Sequence, residues 1–338
     1  MAANMDIIDP VTVGVVFGSA LTISRVYIPT VIINQLRLHD FHMLEVFLTA
    51  SASSALIMLG FEKMGIAKRS VRSKSSLHWF SDYDGNIVGG AILGIGMSLT
   101  GACPGTVLPQ LVQGVKSARA TTIGALLGGT VYAKFGKSLT SSSHLSKDTN
   151  AVHTQPLTIS SKFNISLNSA LISFEALLIA FTAVSVLYFP GKAFVLLPTV
   201  AGGLLIAAAQ TVSIYLTSSP LGVSAAYEQI GSYICWAIGW NNVPQPSSPP
   251  KSILFALGML VGSAVSGQLL PPLTNSGMVP VTNLQALLGG FSLIFGARMA
   301  GGCTSGHGLS GLSAMSYSSL ITTTAMFGSG IFTQWLLK

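Results

Sequence analysis

Stretches of some twenty apolar residues recur along this chain with almost no charge to interrupt them, and that pattern constrains the fold more than any other feature. Lys, Arg, Asp and Glu make up 8% of 338 residues, where a soluble domain carries roughly 25%. A water-facing surface cannot be assembled from so few charges. With 50% hydrophobic residues and a mean hydropathy of +0.64, the apolar material exceeds what one core of this length hides, and lipid takes the rest. The sequence therefore predicts an integral membrane protein. Nucleic-acid binding and soluble catalysis are set aside at this point. The 36 glycines and 15 prolines read as close packing and interruption of transmembrane helices.

A span needs about 20 mainly apolar residues. Runs of that kind cover Val11 to Ile33, Met43 to Phe61, Asn86 to Gly101 and Ala118 to Phe135. After a polar stretch come Asn168 to Phe189, Phe194 to Leu216, Ser252 to Leu270, Leu284 to Gly301 and Ala314 to Leu337. The expected count is nine spans. A shorter apolar piece, Tyr227 to Trp240, reads as interfacial or re-entrant. Basic residues gather after the second run (Lys63, Lys68, Arg69, Arg72, Lys74) and around the stretch after the fourth (Lys134, Lys137, Lys147, Lys162). Two spans separate the clusters, so they share a side, and the positive-inside rule makes that side and the N-terminus cytoplasmic. The opening residues carry acids and no basic region, so no cleavable signal is read there. The division expected is a first transmembrane half at residues 1–140, a polar linker at 141–167 and a second half at 168–338. The linker histidines His144 and His153 lack any further ligand spacing and read as solvated side chains.

Placing Cys103 on Cys303 also aligns Gly89 with Gly289, Gly90 with Gly290, Gly96 with Gly296, Gly101 with Gly301 and Gly128 with Gly328. The chain carries one element twice. Two spans precede the first copy and seven the second, an odd difference, so the copies enter the bilayer from opposite sides as inverted repeats. Such repeats with interrupted helices set a substrate site near the midplane. Gly101 and Gly301 suit a sharp bend with positive φ, and Pro104 suits a helix restarting just past Cys103. The competing reading is ordinary packing glycines in a bundle.

Neutral thiols in an apolar site are weak donors with a soft sulfur. They suit the passage of a soft anion, which must enter readily and also leave. Cys103 and Cys303 are the candidates; Cys235, without a partner in the repeat, reads as packing. Near Cys303 stand Arg298, Thr304, Ser305, His307 and Ser310. Arg298 either attracts an anion or bonds carbonyls freed by the broken helix. His307 either donates to substrate or caps a turn. Glu175, alone in its span, is a proton or cation handle or a pairing group.

At these residues the chain resembles the YeeE/YedE sulphur-transport family of thiosulfate permeases and their eukaryotic relatives, most specifically at LTGACPGT (Leu99 to Thr106) and GGCTSGHGLSG (Gly301 to Gly311). The resemblance implies an all-α, nine-span fold with short re-entrant helices and a pseudo-two-fold axis. It also implies thiosulfate import in which Cys103 and Cys303 relay the anion by S–H···S hydrogen bonds. The pathway residues expected are Cys103, Cys303, Gly101, Gly301, Thr304, His307 and Arg298, with no metal or cofactor. Thiosulfate or a related small anion, the lipid bilayer and a cytoplasmic sulphur acceptor are the partners, and the cell membrane is the location. Where bacterial members carry a further cysteine in the first span, this chain has Ile28, with Tyr27 nearby as a substitute donor and Arg25 as either a substitute donor or an interface anchor. The expected protein is a transporter and not an enzyme. The alternative is a sulphurtransferase-like protein that forms a persulfide on a cysteine, which calls for a base beside a reactive thiol, and His307 is the candidate base.

Overall fold

The computed structural model describes residues 2–136, 157–188, 196–240, 249–271 and 279–338. His144, His153 and most of the expected linker lie outside them. Helices dominate, and the described residues contain no strand beyond an isolated antiparallel bridge between Thr158 and Ser316. In chain order the helices are α1 (Ala2–Ile23), α2 (Pro29–Leu36), α3 (His42–Lys63), α4 (Asp84–Thr100), α5 (Val107–Val112), α6 (Ala118–Val131) and α7 (Ile159–Phe163). They continue with α8 (Leu167–Tyr188), α9 (Thr199–Thr217), α10 (Ser224–Ala237), α11 (Lys251–Leu269), α12 (Asn283–Met299) and α13 (Tyr317–Leu336). Among the described residues there are also two π-helical segments, Tyr132–Gly136 at the end of α6 and Ser305–Gly311 after α12.

Among the described residues five helices, α1, α3, α8, α9 and α11, are long and apolar enough to cross a membrane on length and composition alone. The other four expected spans coincide with α4 (17 residues), α6 (14 residues) and its π extension, α12 (17 residues) and α13, of which the first three are short for a full crossing. The protein is an all-α polytopic membrane protein. The first expected run is not one helix: it breaks at Ser24 to Ile28, where Arg25 has φ +56°, and resumes as α2 with Pro29 in its first turn. Proline has no N–H to give there and its φ is already helical, which makes it a restart signal. Past Cys103 the restart comes at Val107, so Pro104 lies in the turn and not at the head of α5.

The central contact is α4 on α12, and it carries the symmetry. A Cβ on Gly89 would sit 2.4 Å from the Ala300 nitrogen and 2.7 Å from the Gly296 carbonyl oxygen; one on Gly296 would meet Leu93 N at 2.5 Å and Gly89 O at 2.7 Å. Gly96 meets Leu293 N and Gly289 O in the same way. Each glycine of one copy therefore rests on the repeat mate of the other, as a two-fold axis between antiparallel helices requires. Without side chains at these points the backbones approach to van der Waals contact, the usual basis of association between membrane helices. The same relation extends outward. Gly90 of α4 meets Thr322 and Ala325 of α13, and Gly290 of α12 meets Thr121 and Ala125 of α6.

Around this centre α1 packs on α11 through Gly14, Gly18, Gly258 and Gly262, and α9 packs on α3 through Gly203. Helix α8 leans on α3 and leaves Ile172, Leu177, Ile179 and Leu187 exposed for lipid. The helix ends sort to two faces. On one, Asp6 pairs with Lys251, and the segment from Lys63 to Tyr83 folds over the ends of α12 and α13. On the other, Arg37 donates to Gln334 and Arg25 to the Pro271 carbonyl.

Candidate functional site

Both repeats end their central helix in the same way. Gly101 has φ +60° and Gly301 φ +82°, a region in which residues with a Cβ are strained. At Gly101 space is also short, because a Cβ would come within 2.8 Å of Pro29, whereas at Gly301 only Ser75 lies near, at 4.0 Å. These bends release the helices and turn Cys103 and Cys303 inward, where they are 1% and 0% exposed. Each copy then locks its turn with hydrogen bonds. The Cys103 N–H donates to Thr106 Oγ1 at 2.8 Å, and Gln110 Nε2 donates to both Gly101 O (2.8 Å) and Tyr27 O (2.7 Å). In the second copy the His307 N–H donates to Cys303 O at 2.7 Å.

The two thiols occupy one neighbourhood. The Thr304 hydroxyl lies beside the Cys103 sulfur, and the two cysteines are electrostatic neighbours of each other and of Tyr227. Tyr227 is buried and donates its hydroxyl to Pro104 O at 3.4 Å. Their surroundings are more polar than the apolar site expected for neutral thiols. The Cys303 sulfur is 3.1 Å from Ser305 Oγ, and the backbone amides of Ser224, Gly306 and Val223 are directed at it. Val223 and Ser224 open α10, so the piece from Tyr227 to Trp240 belongs to a half-helix whose amide end faces the thiol. Amides at a helix N-terminus favour negative charge there. The other end of this helix reaches the basic face, where Trp240 lies under Lys134 Nζ, 3.6 Å from the ring centre.

The charged candidates resolve into structural partners. Arg298 forms a salt bridge with Glu228 of α10 and lies over the Tyr132 ring. It thereby ties the end of α12 to α10, and its bonding goes to a carboxylate instead of freed carbonyls. His307, 1% exposed, engages both ring nitrogens: Nε2 faces Ala300 O at 3.1 Å and Nδ1 faces Ser319 Oγ at 2.9 Å. A carbonyl only accepts, so Nε2 carries the proton and Nδ1 accepts from Ser319. His307 thus holds the π-helical segment against the end of α12. Thr304 stays at the thiols. Glu175 is placed on α8, with one carboxylate oxygen buried and unbonded. Arg25 turns away to the Pro271 carbonyl, Ile28 is fully buried in the core beside α2, and Cys235 packs in α10 against Thr130 O.

A cleft of about 410 Å³ leads to Cys303 from the face that carries Lys63 to Tyr83. Exposed Ser70 and Ser73 stand at its rim, and Arg72, Gly222, Ser224, Arg298 and Gly302 line the way in. Neither Arg72 nor Tyr227 was expected at the site. The first reads in sequence as one member of a topogenic basic cluster, and the second as the start of an interfacial piece. Arg72 stands among serines and Tyr227 follows the Ser/Pro/Gly stretch SSPLG, and neither pattern names a role.

Comparison with known proteins gives the chain its place. The family described as Sulphur transport matches residues 23–333. Two proteins of Xylella fastidiosa, from strains 9a5c and Temecula1, each described as a probable transporter, are 33% identical over 92 residues, which is 26% of this chain. The matched stretch spans 65% of the length of those relatives. The family match covers nearly the whole chain, and the protein belongs to the sulphur-transport family.

Proposed function

We propose that this member of the sulphur-transport family imports a small sulphur-containing anion, thiosulfate in the first instance, past Cys103 and Cys303. The observation that carries the reading is that two repeat-related buried thiols share one neighbourhood, with a cleft that runs from one of them to a face of the protein. A dianion entering this interior loses its hydration, and weak donors must replace it without trapping the ion. The S–H groups and the hydroxyls of Thr304 and Ser305 supply such donors. The terminal sulfur of thiosulfate is a soft acceptor matched to a thiol donor, while sulfate offers only hard oxygen.

In this reading the face with the basic segment from Lys63 to Lys74 is the cytoplasmic one by the positive-inside rule, the N-terminus lies on that side, and the membrane is the cell membrane. Cys103, reached from α4, is then the outer thiol and Cys303, reached from α12, the inner one. Gly101 and Gly301 shape the two turns, His307 and Arg298 hold the inner turn in place, and a cytoplasmic sulphur acceptor takes the anion away. No covalent step is needed. The persulfide alternative asks for a base beside Cys303, and His307 already spends Nδ1 on Ser319 and Nε2 on Ala300.

The test is uptake of labelled thiosulfate by proteoliposomes. Loss of one hydrogen bond to a charged group costs about 1.5–3 kcal/mol, so Cys103→Ala and Cys303→Ala should each slow uptake about tenfold or more. Sulfate should be carried poorly by the unaltered protein. Wild-type rates in both variants would remove the thiol relay, and persulfide on Cys303 after turnover would favour the alternative.

A further inference from the structure

The cleft before Cys303 has a chemistry of its own. Arg72 comes from the segment between α3 and α4, more than two hundred residues before the turn it serves, and its guanidinium is held by carbonyls. Nε donates to Gly306 O at 3.1 Å and Nη1 to Gly301 O at 3.2 Å. Its backbone is fixed too, since the Ser316 and Ser318 hydroxyls donate to Arg72 O at 3.0 and 2.9 Å. Carbonyl oxygens orient a guanidinium without neutralising it, whereas nearby Arg298 is paired with Glu228. Cys303, Arg298 and His307 are charged or titratable neighbours of Arg72. Its Nη2 lies along the cleft wall, 3.6 Å from where a Cβ on Gly222 would stand. Ser224, at the amide end of α10, faces the same space.

We propose that this cleft is a binding site for small tetrahedral oxyanions, with Arg72 as the cation that receives them. The inference rests on the proposed passage past Cys303 for its place in the cycle, because the cleft ends on that thiol. The guanidinium of Arg72 and the hydroxyl of Ser224 are hard donors that match oxygen. The cleft therefore accepts sulfate as well as thiosulfate, and selection for soft sulfur is made at the thiols and not here. Sulfate on this face is a ligand that is not carried, and it competes with the anion leaving Cys303.

The experiment is equilibrium binding of radiolabelled sulfate to the purified full chain. Saturable binding that thiosulfate displaces and equimolar chloride does not is expected from the unaltered protein. Arg72→Gln should weaken it about tenfold or more, and Arg72→Lys should fall between, since an ammonium keeps the charge and loses the fork. Because Arg72 also braces Gly301 and Gly306, Gly222→Val is the second variant. It fills the cleft, leaves the carbonyl bonds of Arg72 in place, and should also weaken sulfate binding about tenfold with an unchanged melting temperature. Absence of saturable sulfate binding in the unaltered protein, or unchanged affinity in both Arg72→Gln and Gly222→Val, overturns the site. Cys103→Ala separates this inference from the transport reading. Sulfate binding should persist in that variant, so normal thiosulfate uptake there would remove the relay and leave the oxyanion site standing.

Discussion

At the scale of single residues, the two glycines that free the cysteines have different tasks despite their shared register. Both need positive φ, which costs a residue with a Cβ about 1–2 kcal/mol, but only Gly101 also lacks room, with Pro29 at 2.8 Å. Gly101→Ala should lower the melting temperature of the purified protein well beyond Gly301→Ala, and equal losses would show that φ alone decides. The cysteines and their glycines were legible in the sequence because the repeat marks them twice. Arg72 was not, since nothing in a basic cluster says which member folds back more than two hundred residues onto Gly301 and Gly306. His307 was legible as a residue but not as a role. Its two partners, Ser319 and the Ala300 carbonyl, exist only once α12, the π-helical segment and α13 have met.

Helix by helix, apolar runs of spanning length located the crossings, and they failed where the backbone breaks inside an apolar stretch. Ser24 to Ile28 are as buried as the helices around them apart from the half-buried Arg25, so hydropathy does not register the interruption before Pro29. The amide end of α10 escaped notice for the opposite reason: fourteen residues are too few to span, and only its approach to Cys303 gives it a task. Register between the repeats, moreover, does not guarantee equal packing. Gly128 of α6 and Gly328 of α13 are repeat mates, yet a Cβ on Gly128 would lie 2.5 Å from Phe291 O, and one on Gly328 would meet nothing within 4 Å. Forcing a methyl against backbone costs about 1–3 kcal/mol. Replacing an unpacked helical glycine with alanine gains about 0.5–1 kcal/mol. Gly128→Ala should therefore melt several degrees lower than the unaltered protein and Gly328→Ala slightly higher. A parallel fall in both would mean that Gly328 is also a packing position.

For the molecule as a whole, the repeat that divides the sequence into halves does not divide the structure into separate bodies. The first half supplies α1, α4 and α6, and each finds its main partner in the second half: α11 for α1, α12 for both α4 and α6. At the site the mixing is closer still. Cys103 has Thr304 and Tyr227 beside it, Cys303 has Arg72 in its cleft, and the Ser75 hydroxyl closes over Met299 O at 2.6 Å. The glycines of α4 and α12 show why, because a backbone face stripped of side chains gains its dispersion contacts only against an equally bare face, and that face belongs to the other copy. Neither half alone buries its turn or its thiol. A chain comprising residues 1–140 or 157–338, expressed by itself, should fail to accumulate as a folded membrane protein. The two expressed together should copurify and recover uptake of labelled thiosulfate, since the contacts that join them do not depend on the peptide link between them. Stable accumulation of either half alone, with its cysteine protected from alkylation, would show instead that each repeat is a folding unit and that the two-fold interface forms after both are complete.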